Sequence, residues 1–231
     1  MPEEKNTMPD LGLDGLTIDL DSDLYQKKEE IPEEKENKPA PVNRVRSVSI
    51  TRRHVSTYRR AFGETQLLDL LGFDFKDGES HHVITGGDID GLSYLKVVLR
   101  QQPLDYCLMS TWCMASEDVY QIKDWLENGK IKTMDCYVGE IFPGSYILEY
   151  ALLKPLIEKH GGRVCVFMNH AKIFAGFGPK FAFGIETSAN VNTNPRTENG
   201  CITIGQDIYE FYREFFDQIR SFDEKRTGGS S

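Results

Sequence analysis

The chain has 231 residues, of which 39% are hydrophobic, enough for the core of one domain with extensions. Its net charge of −9 at pH 7 argues against a general nucleic-acid coat protein, although it permits a local cationic pocket, because phosphate is recognised at short range. The sequence contains no apolar run long enough for a membrane span, no secretion signal and no Cys-x-x-Cys spacing among its five cysteines. We therefore expect a soluble, cytoplasmic protein with reduced, buried thiols, no bound metal and no cofactor.

The N-terminal residues 1–43 are predicted to be a disordered acidic tail. Twelve acidic residues and five lysines fall within residues 1–40, and this composition cannot bury enough apolar surface to offset the entropy of ordering. Within the tail, Leu11 to Tyr25 mixes acids with spaced aliphatic residues. This pattern is typical of a short segment that docks on a protein partner or on its own domain. The alternative is a tail that only increases solubility.

Residues 44–82 are predicted to form a basic and partly helical extension. Six arginines and no acidic residue lie between residues 41 and 63. These arginines could bind phosphate, form ion pairs with the acidic tail, or form the basic face of a strand or helix packed on the domain edge. Further on, Thr65 to Gly72 is typical of a short helix that ends at a glycine.

The remaining residues, 83–231, show a regular alternation of strand and helix patterns. A strand followed by a turn is predicted at 83–87, further strands at 105–112, 132–138, 163–174, 181–185 and 201–204, and helices at 88–99, 116–126, 145–160 and 207–222. Strands alternating with helices are typical of an α/β domain. We therefore expect a mixed β-sheet flanked by helices on both faces, with a single copy of each motif.

The pair His170 and Lys172 lies near the end of the strand-like run Arg163 to Phe174. Residues two apart in a strand share one face, so the imidazole and the ammonium are expected to emerge together. Such a pair suits a phosphodiester, because a histidine can attack phosphorus or transfer a proton and a lysine can balance the phosphate charge. A structural histidine beside a solvated lysine is the alternative explanation.

Further polar residues follow His170 and Lys172 along the chain. Ser188 and Asn190 supply a hydroxyl and an amide, and Arg196 and Glu198 supply a cation and a carboxylate. Together these groups could complete a pocket for an anion. They could also be a polar turn followed by a surface ion pair.

From about residue 83 to residue 222 the chain resembles one half-domain of the phospholipase D superfamily. That family's pattern is His-x-Lys, an Asp five residues after the Lys, then Gly-Ser-x-Asn and a later Glu. His170, Lys172, Ser188, Asn190 and Glu198 match it. Thr187 stands in place of the family's glycine. Phe177, which we assign to a turn at 176–179, stands in place of the Asp, and the nearest acid is Glu186.

The resemblance implies a metal-independent phosphodiesterase that works through a phosphohistidine. His170 would be the nucleophile or the acid, and Lys172 the phosphate cation. Ser188 and Asn190 would donate hydrogen bonds to phosphoryl oxygens, and Glu198 would orient a histidine. Arg196 is a further candidate for substrate binding.

A complete site in the family needs two His-x-Lys motifs, so this chain is expected to act as a homodimer. Members with a single motif are chiefly nucleases, which makes DNA the expected substrate, with another phosphodiester as the alternative. Because the Asp is absent, a catalytically degenerate nucleic-acid-binding protein or a structural and assembly protein on the same fold also stays open.

Overall fold

The computed structural model describes residues 59–193 and 195–222. The predicted acidic tail, residues 1–43, and the part of the arginine-rich stretch before Arg59 lie outside the described residues. The described residues form seven strands and six helices. The strands are β1 Ser80–Thr85, β2 Leu104–Thr111, β3 Ile131–Gly139, β4 Val164–Phe167, β5 Ile173–Phe177, β6 Ala182–Thr187 and β7 Glu198–Ile204. The helices are α1 at residues 59–70, α2 Gly91–Gln101, α3 Ser116–Glu127, α4 Phe142–Ser145, α5 Ile147–Lys159 and α6 Gln206–Asp217.

The seven strands form one mixed sheet in the order β1-β7-β6-β5-β2-β3-β4. Strands β2, β3 and β4 run parallel, whereas β5 pairs antiparallel with both β2 and β6, and β7 pairs antiparallel with both β6 and β1. This arrangement brings the carboxyl ends of β1, β2, β3, β4 and β6 to one edge of the sheet. The amino ends of β5 and β7 meet them there, since Ser110 pairs with Ile173, and Thr85 pairs with Glu198.

Helices cover the sheet on both faces. On one face, α1, α2, α3 and α5 bury aliphatic residues such as Leu67, Leu95 and Leu153 against the sheet. On the other face, α6 packs Tyr209 and Phe216, with neighbouring aromatics, against the strands. The predicted α/β class, with a mixed sheet flanked by helices on both faces, is therefore confirmed. Burial of large apolar side chains on both faces is the main source of stability for such a sheet.

The run from Arg163 to Phe174 is two strands, and our assignment of one continuous strand is wrong. Strand β4 ends at Phe167 and β5 begins at Ile173, and two other strands of the sheet, β2 and β3, lie between them. The chain leaves the edge of the sheet after β4, passes the ends of β3 and β2, and enters β5. His170 and Lys172 therefore lie in a connection and not within a strand.

Two segments outside the predicted α/β elements also join the domain. Helix α1 contributes Leu67 and Leu71 to the core, and β1 begins at Ser80, so this strand runs across the position where we divide the extension from the domain. At the opposite edge, the residues after α6 reach β4. The Val166 amide donates to Ser221 Oγ at 2.8 Å, and the Phe222 amide donates to the Val166 carbonyl at 2.8 Å.

Candidate phosphate-binding site

The candidate residues lie at the edge of the sheet where five carboxyl ends meet. His170 and Lys172 are in the β4–β5 connection, Ser188 and Asn190 follow β6, and Glu198 begins β7. In open α/β sheets, ligands bind beyond the carboxyl ends of the strands, because the loops there converge and backbone groups are left unpaired. The topology alone thus brings together three separate parts of the sequence.

Asn169 fixes the connection that carries His170. Its side chain is buried and donates to Ser110 Oγ and to the Tyr137 carbonyl, both at 3.0 Å. Its side-chain Oδ1 accepts a hydrogen bond from the Ala171 amide at 3.0 Å. The side chain therefore ties the connection to the ends of β2 and β3, where no regular strand pairing holds it. This anchoring gives His170 a defined position although it lies outside a strand.

Lys172 contacts the ring of His170 directly. Its Nζ lies 3.0 Å from His170 Nδ1 and 2.8 Å from the His170 carbonyl oxygen. An ammonium can donate only to a ring nitrogen that carries a lone pair, so this contact fits a neutral imidazole. His170 itself is exposed. The pair therefore places an imidazole ring and an ammonium next to each other at the surface.

The environment of Lys172 perturbs the ammonium. Burial lowers the pKa of Lys172, while its electrostatic interactions with Cys113 and Glu198 act in the opposite direction. Cys113 is buried, and its own pKa is raised by burial, with Tyr146 and Asn192 as hydrogen-bonding neighbours that oppose the shift. Lys172 is thus partly desolvated, which strengthens its attraction for an anion.

Ser188 and Glu198 meet because β6 and β7 are antiparallel neighbours. The Ser188 amide donates to the Asn199 carbonyl and Ser188 Oγ accepts the Asn199 amide, both at 3.0 Å. This exchange continues the ladder beyond β6 and brings Ser188 Oγ onto Glu198 Oε2, to which it donates. Glu198 is only 8% exposed, so its carboxylate is held beneath the surface of the site. The Thr187 amide donates to the Lys172 carbonyl at 3.1 Å, which places this pair beside Lys172.

Asn190 and Arg196 are placed less directly at the site. The Asn190 carbonyl accepts the Gly91 amide at 2.9 Å at the start of α2, while its side-chain Oδ1 is buried without a hydrogen-bond partner among the described residues. The Arg196 side chain is exposed, and its backbone lies against Gly87. A Cβ on Gly87, whose φ is +104°, would come within 2.7 Å of the Pro195 backbone, so this turn requires glycine.

The structure adds Trp112 to the site. Its ring centroid lies 5.5 Å from that of His170 at an interplanar angle of 48°. Our sequence analysis does not predict this contact. The available signal was its position directly after β2, which ends at the same sheet edge. A close neighbour, Gly139, leaves room for the indole, because a Cβ there would lie 2.8 Å from Trp112 Cδ1.

The two residues considered for the missing Asp lie away from the His170–Lys172 pair. Phe177 is the last residue of β5, not part of a turn, and its ring packs 5.3 Å from that of Tyr209. Glu186 accepts a hydrogen bond from the Tyr212 hydroxyl of α6, on the far face of the sheet. Neither residue has a described contact with His170 or Lys172.

Two classes of feature are missing from residues 59–193 and 195–222. No group of three or more His, Cys, Asp or Glu side chains within these ranges is placed to hold a metal ion. None of the helices within these ranges is both long and apolar enough to cross a membrane.

Comparison with known proteins finds no protein-family model and no curated protein that matches the chain. Among solved structures, polyphosphate kinase from Porphyromonas gingivalis is similar over 61% of this chain, at 13% identity and a TM-score of 0.46. Phosphatidylserine synthase from Haemophilus influenzae Rd KW20 is similar over 60% of this chain, at 16% identity and a TM-score of 0.42. The matched region spans 26% of the first of these chains and 37% of the second.

Proposed function

We propose that this chain is a phospholipase D-like phosphodiesterase that cleaves DNA without a metal ion. The observation that carries the proposal is the contact of Lys172 Nζ with His170 Nδ1 at 3.0 Å, beside the Ser188–Glu198 pair at the same sheet edge. A neutral imidazole next to a partly desolvated ammonium suits attack on a phosphodiester, in which negative charge develops on the phosphoryl oxygens.

Each residue of the site has a separate role in the proposed reaction. The lone pair of His170 Nε2 forms a bond to phosphorus as the bond to the leaving oxygen breaks, and a second histidine gives that oxygen its proton. Water then attacks phosphorus, the phosphorus–nitrogen bond breaks, and the second histidine takes up the proton. Lys172 moves from Nδ1 of the ring to a phosphoryl oxygen, the imidazole takes the tautomer that carries its proton on Nδ1, and Glu198 accepts a hydrogen bond from that N–H. Ser188, Asn190 and Arg196 contact the substrate.

The second histidine comes from a second copy of the chain. Each chain supplies one His-x-Lys pair, so a homodimer with facing pairs contains a complete site. Met168, two residues before His170, is an apolar side chain that is 78% exposed in the single chain. Contact with a second copy would bury it.

One observation favours a second candidate function, binding of a phosphate-bearing ligand without turnover. The position at which the family has its Asp holds Phe177, whose ring packs against an aromatic residue of α6. Lys172 would still attract an anion in such a protein. Binding of this kind weakens as salt rises, because phosphate contacts release counterions.

Cleavage of supercoiled plasmid DNA by the purified full chain in excess EDTA tests the first function. His170→Ala should lower the rate by at least about a thousandfold, because it removes the nucleophile. His82→Ala, which removes an exposed imidazole from β1, should leave the rate unchanged. An inactive wild type, or an active His170→Ala, would reject catalysis.

Fluorescence titration with an oligonucleotide separates the second function from the first. Salt-dependent binding that is lost in Lys172→Ala but kept in Lys180→Ala, with no cleavage, would establish binding without turnover. Lys180 is a suitable control because it is an exposed lysine at the opposite end of β5. An affinity for the oligonucleotide that changes neither with salt concentration nor in Lys172→Ala would contradict both functions.

A further inference from the structure

The guanidinium of Arg60 in α1 contacts three different carboxylates. Its Nε lies 3.0 Å from Glu64 Oε1, its Nη2 lies 2.8 Å from Asp90 Oδ2, and its Nη1 lies 2.7 Å from Asp118 Oδ1. Asp90 and Asp118 are 0% exposed. Lys96 adds a second cation, with Nζ 2.7 Å from Glu64 Oε1. We call these five residues the Arg60 cluster.

The guanidinium of Arg60 compensates the negative charge of the buried carboxylates in the Arg60 cluster. Burial opposes the charge of Arg60, but the carboxylates of Asp90 and Asp118 outweigh it and raise the pKa of the guanidinium. Burial and the neighbouring Asp90 raise the pKa of Asp118 to about 7, against the pull of Arg60. The Asp118 oxygens have no well-aligned hydrogen bond among the described residues, so their contact with Arg60 is an ion pair. Loss of the cation would leave buried carboxylates uncompensated.

Asp90 connects the Arg60 cluster to the candidate site. The same oxygen that contacts Arg60, Asp90 Oδ2, also accepts the Thr193 hydroxyl at 3.1 Å. The other oxygen caps α2 by accepting the Ser93 amide at 3.0 Å. The next residue, Gly91, donates its amide to the Asn190 carbonyl at 2.9 Å. The segment that carries Asn190 is therefore tied to the start of α2 at two points.

We propose that Arg60 is a positioning residue for the candidate site, acting through Asp90 on the segment Asn190–Thr193. It fixes the position of the Asp90 carboxylate, so that Asp90 can cap α2 and hold Thr193 while Gly91 holds Asn190. A lysine cannot replace it, because only the planar guanidinium fork reaches three carboxylates at once. The inference rests on the proposed function only for its effect on activity. The predicted effect of Arg60 on the position of residues 190–193 does not depend on any reaction.

Hydrogen–deuterium exchange of the full chain tests this role without a substrate. Arg60→Gln should speed exchange of the amides at 189–193 by at least about tenfold, the change expected when a bond network worth about 1.4 kcal/mol is lost. Exchange in β3 should stay as in the wild type. Arg60→Lys should show the same local change. Unchanged exchange at 189–193, or an equal increase throughout the domain, would overturn the proposal.

Arg163→Gln is the matched control. Arg163 also bonds to several groups, including Tyr137 Oη at 2.7 Å and the Phe216 carbonyl at 3.0 Å, but on the α6 face of the sheet. Its loss should leave residues 189–193 unaffected. Thr193→Val removes only the hydroxyl contact to Asp90, and it should also speed local exchange. No change in Thr193→Val would count against the proposal even if Arg60→Gln does not fold.

A double variant separates positioning from simple charge balance. Arg60→Gln combined with Asp118→Asn removes one cation and one carboxylate, so the net charge of the cluster is restored when both aspartates are ionised. Exchange at 189–193 should remain fast, because Asp90 still lacks its guanidinium partner. A return to wild-type exchange would overturn the proposal.

If the wild type cleaves DNA, Arg60→Gln should lower kcat in the folded protein. If the wild type is inactive, the exchange data still decide the role of Arg60.

Discussion

Replacement of Asn169 by alanine is the sharpest test of how the candidate site is built. Asn169 is the only residue of the β4–β5 connection, among residues 168–172, whose side chain is buried. Its side-chain Nδ2 donates to groups at the ends of β2 and β3, and its side-chain Oδ1 accepts a hydrogen bond from the Ala171 amide. Alanine removes these bonds without adding bulk.

The expected loss follows from the bonds that Asn169 makes. Three of them have a donor–acceptor distance of 3.0 Å, to Ser110 Oγ, the Tyr137 carbonyl and the Ala171 amide. A typical hydrogen bond contributes about 1 kcal/mol net, so the variant should lose about 3 kcal/mol of unfolding free energy. For a domain of this size, that loss corresponds to a decrease in Tm of roughly 6–12 °C.

Urea unfolding followed by circular dichroism measures this loss. Asn128→Ala is the control, because Asn128 is exposed and its side chain bonds to Asp124 within its own helix turn. This variant should change the stability by less than about 0.5 kcal/mol. A loss below about 1 kcal/mol for Asn169→Ala would refute the view that this side chain anchors the connection. We also expect DNA cleavage to fall in the folded variant, since His170 is the next residue.

Three further changes test the packing and the charges. Gly162→Ala should cost more than about 3 kcal/mol in urea unfolding, because its Cβ would lie 1.8 Å from a backbone carbonyl oxygen of β3, whereas Gly144→Ala, with nothing within 4 Å, should be nearly neutral. Gly139→Ala should displace the indole of Trp112, whose Cδ1 would lie 2.8 Å from the new Cβ, and an unchanged near-ultraviolet circular dichroism spectrum would contradict this. The pKa of Asp118 is raised from 3.8 to about 7, so the folded chain holds a proton that the unfolded chain releases, and stability should fall as pH rises through this window. Asp118→Asn should reduce that fall when unfolding is compared at pH 5 and pH 8, and an unaltered pH dependence would contradict the assignment.

The sequence predicts the fold class because its hydrophobic periodicity reports local structure. The alternation of strands and helices, and the amphipathic pattern of the closing helix, require only neighbouring residues. The division of the run Arg163–Phe174 into two strands could not be predicted in this way. Its cause is the buried Asn169, whose partners Ser110 and Tyr137 belong to distant strands, and periodicity carries no information about such partners.

The candidate site shows the same limit. The placement of His170 beside Lys172 was inferred from strand alternation, but in the structure it results from an anchored connection. The Ser188–Glu198 contact follows from the antiparallel pairing of β6 with β7, which spacing along the chain suggests. The contact of Arg60 with Asp90 joins a helix outside the predicted α/β domain to a helix cap, and no local pattern indicates it.

The bonds from Ser221 and Phe222 to Val166 have a consequence for how this protein meets other chains. Strand β4 is the last in the sheet, and an unprotected last strand is a template on which foreign chains add and aggregate. Here the polypeptide that leaves α6 occupies the Val166 amide and carbonyl itself. Ser221 and Phe222 thus protect the edge of β4 from pairing with another chain. A shortened chain that ends at Asp217 would expose this edge and should aggregate more readily.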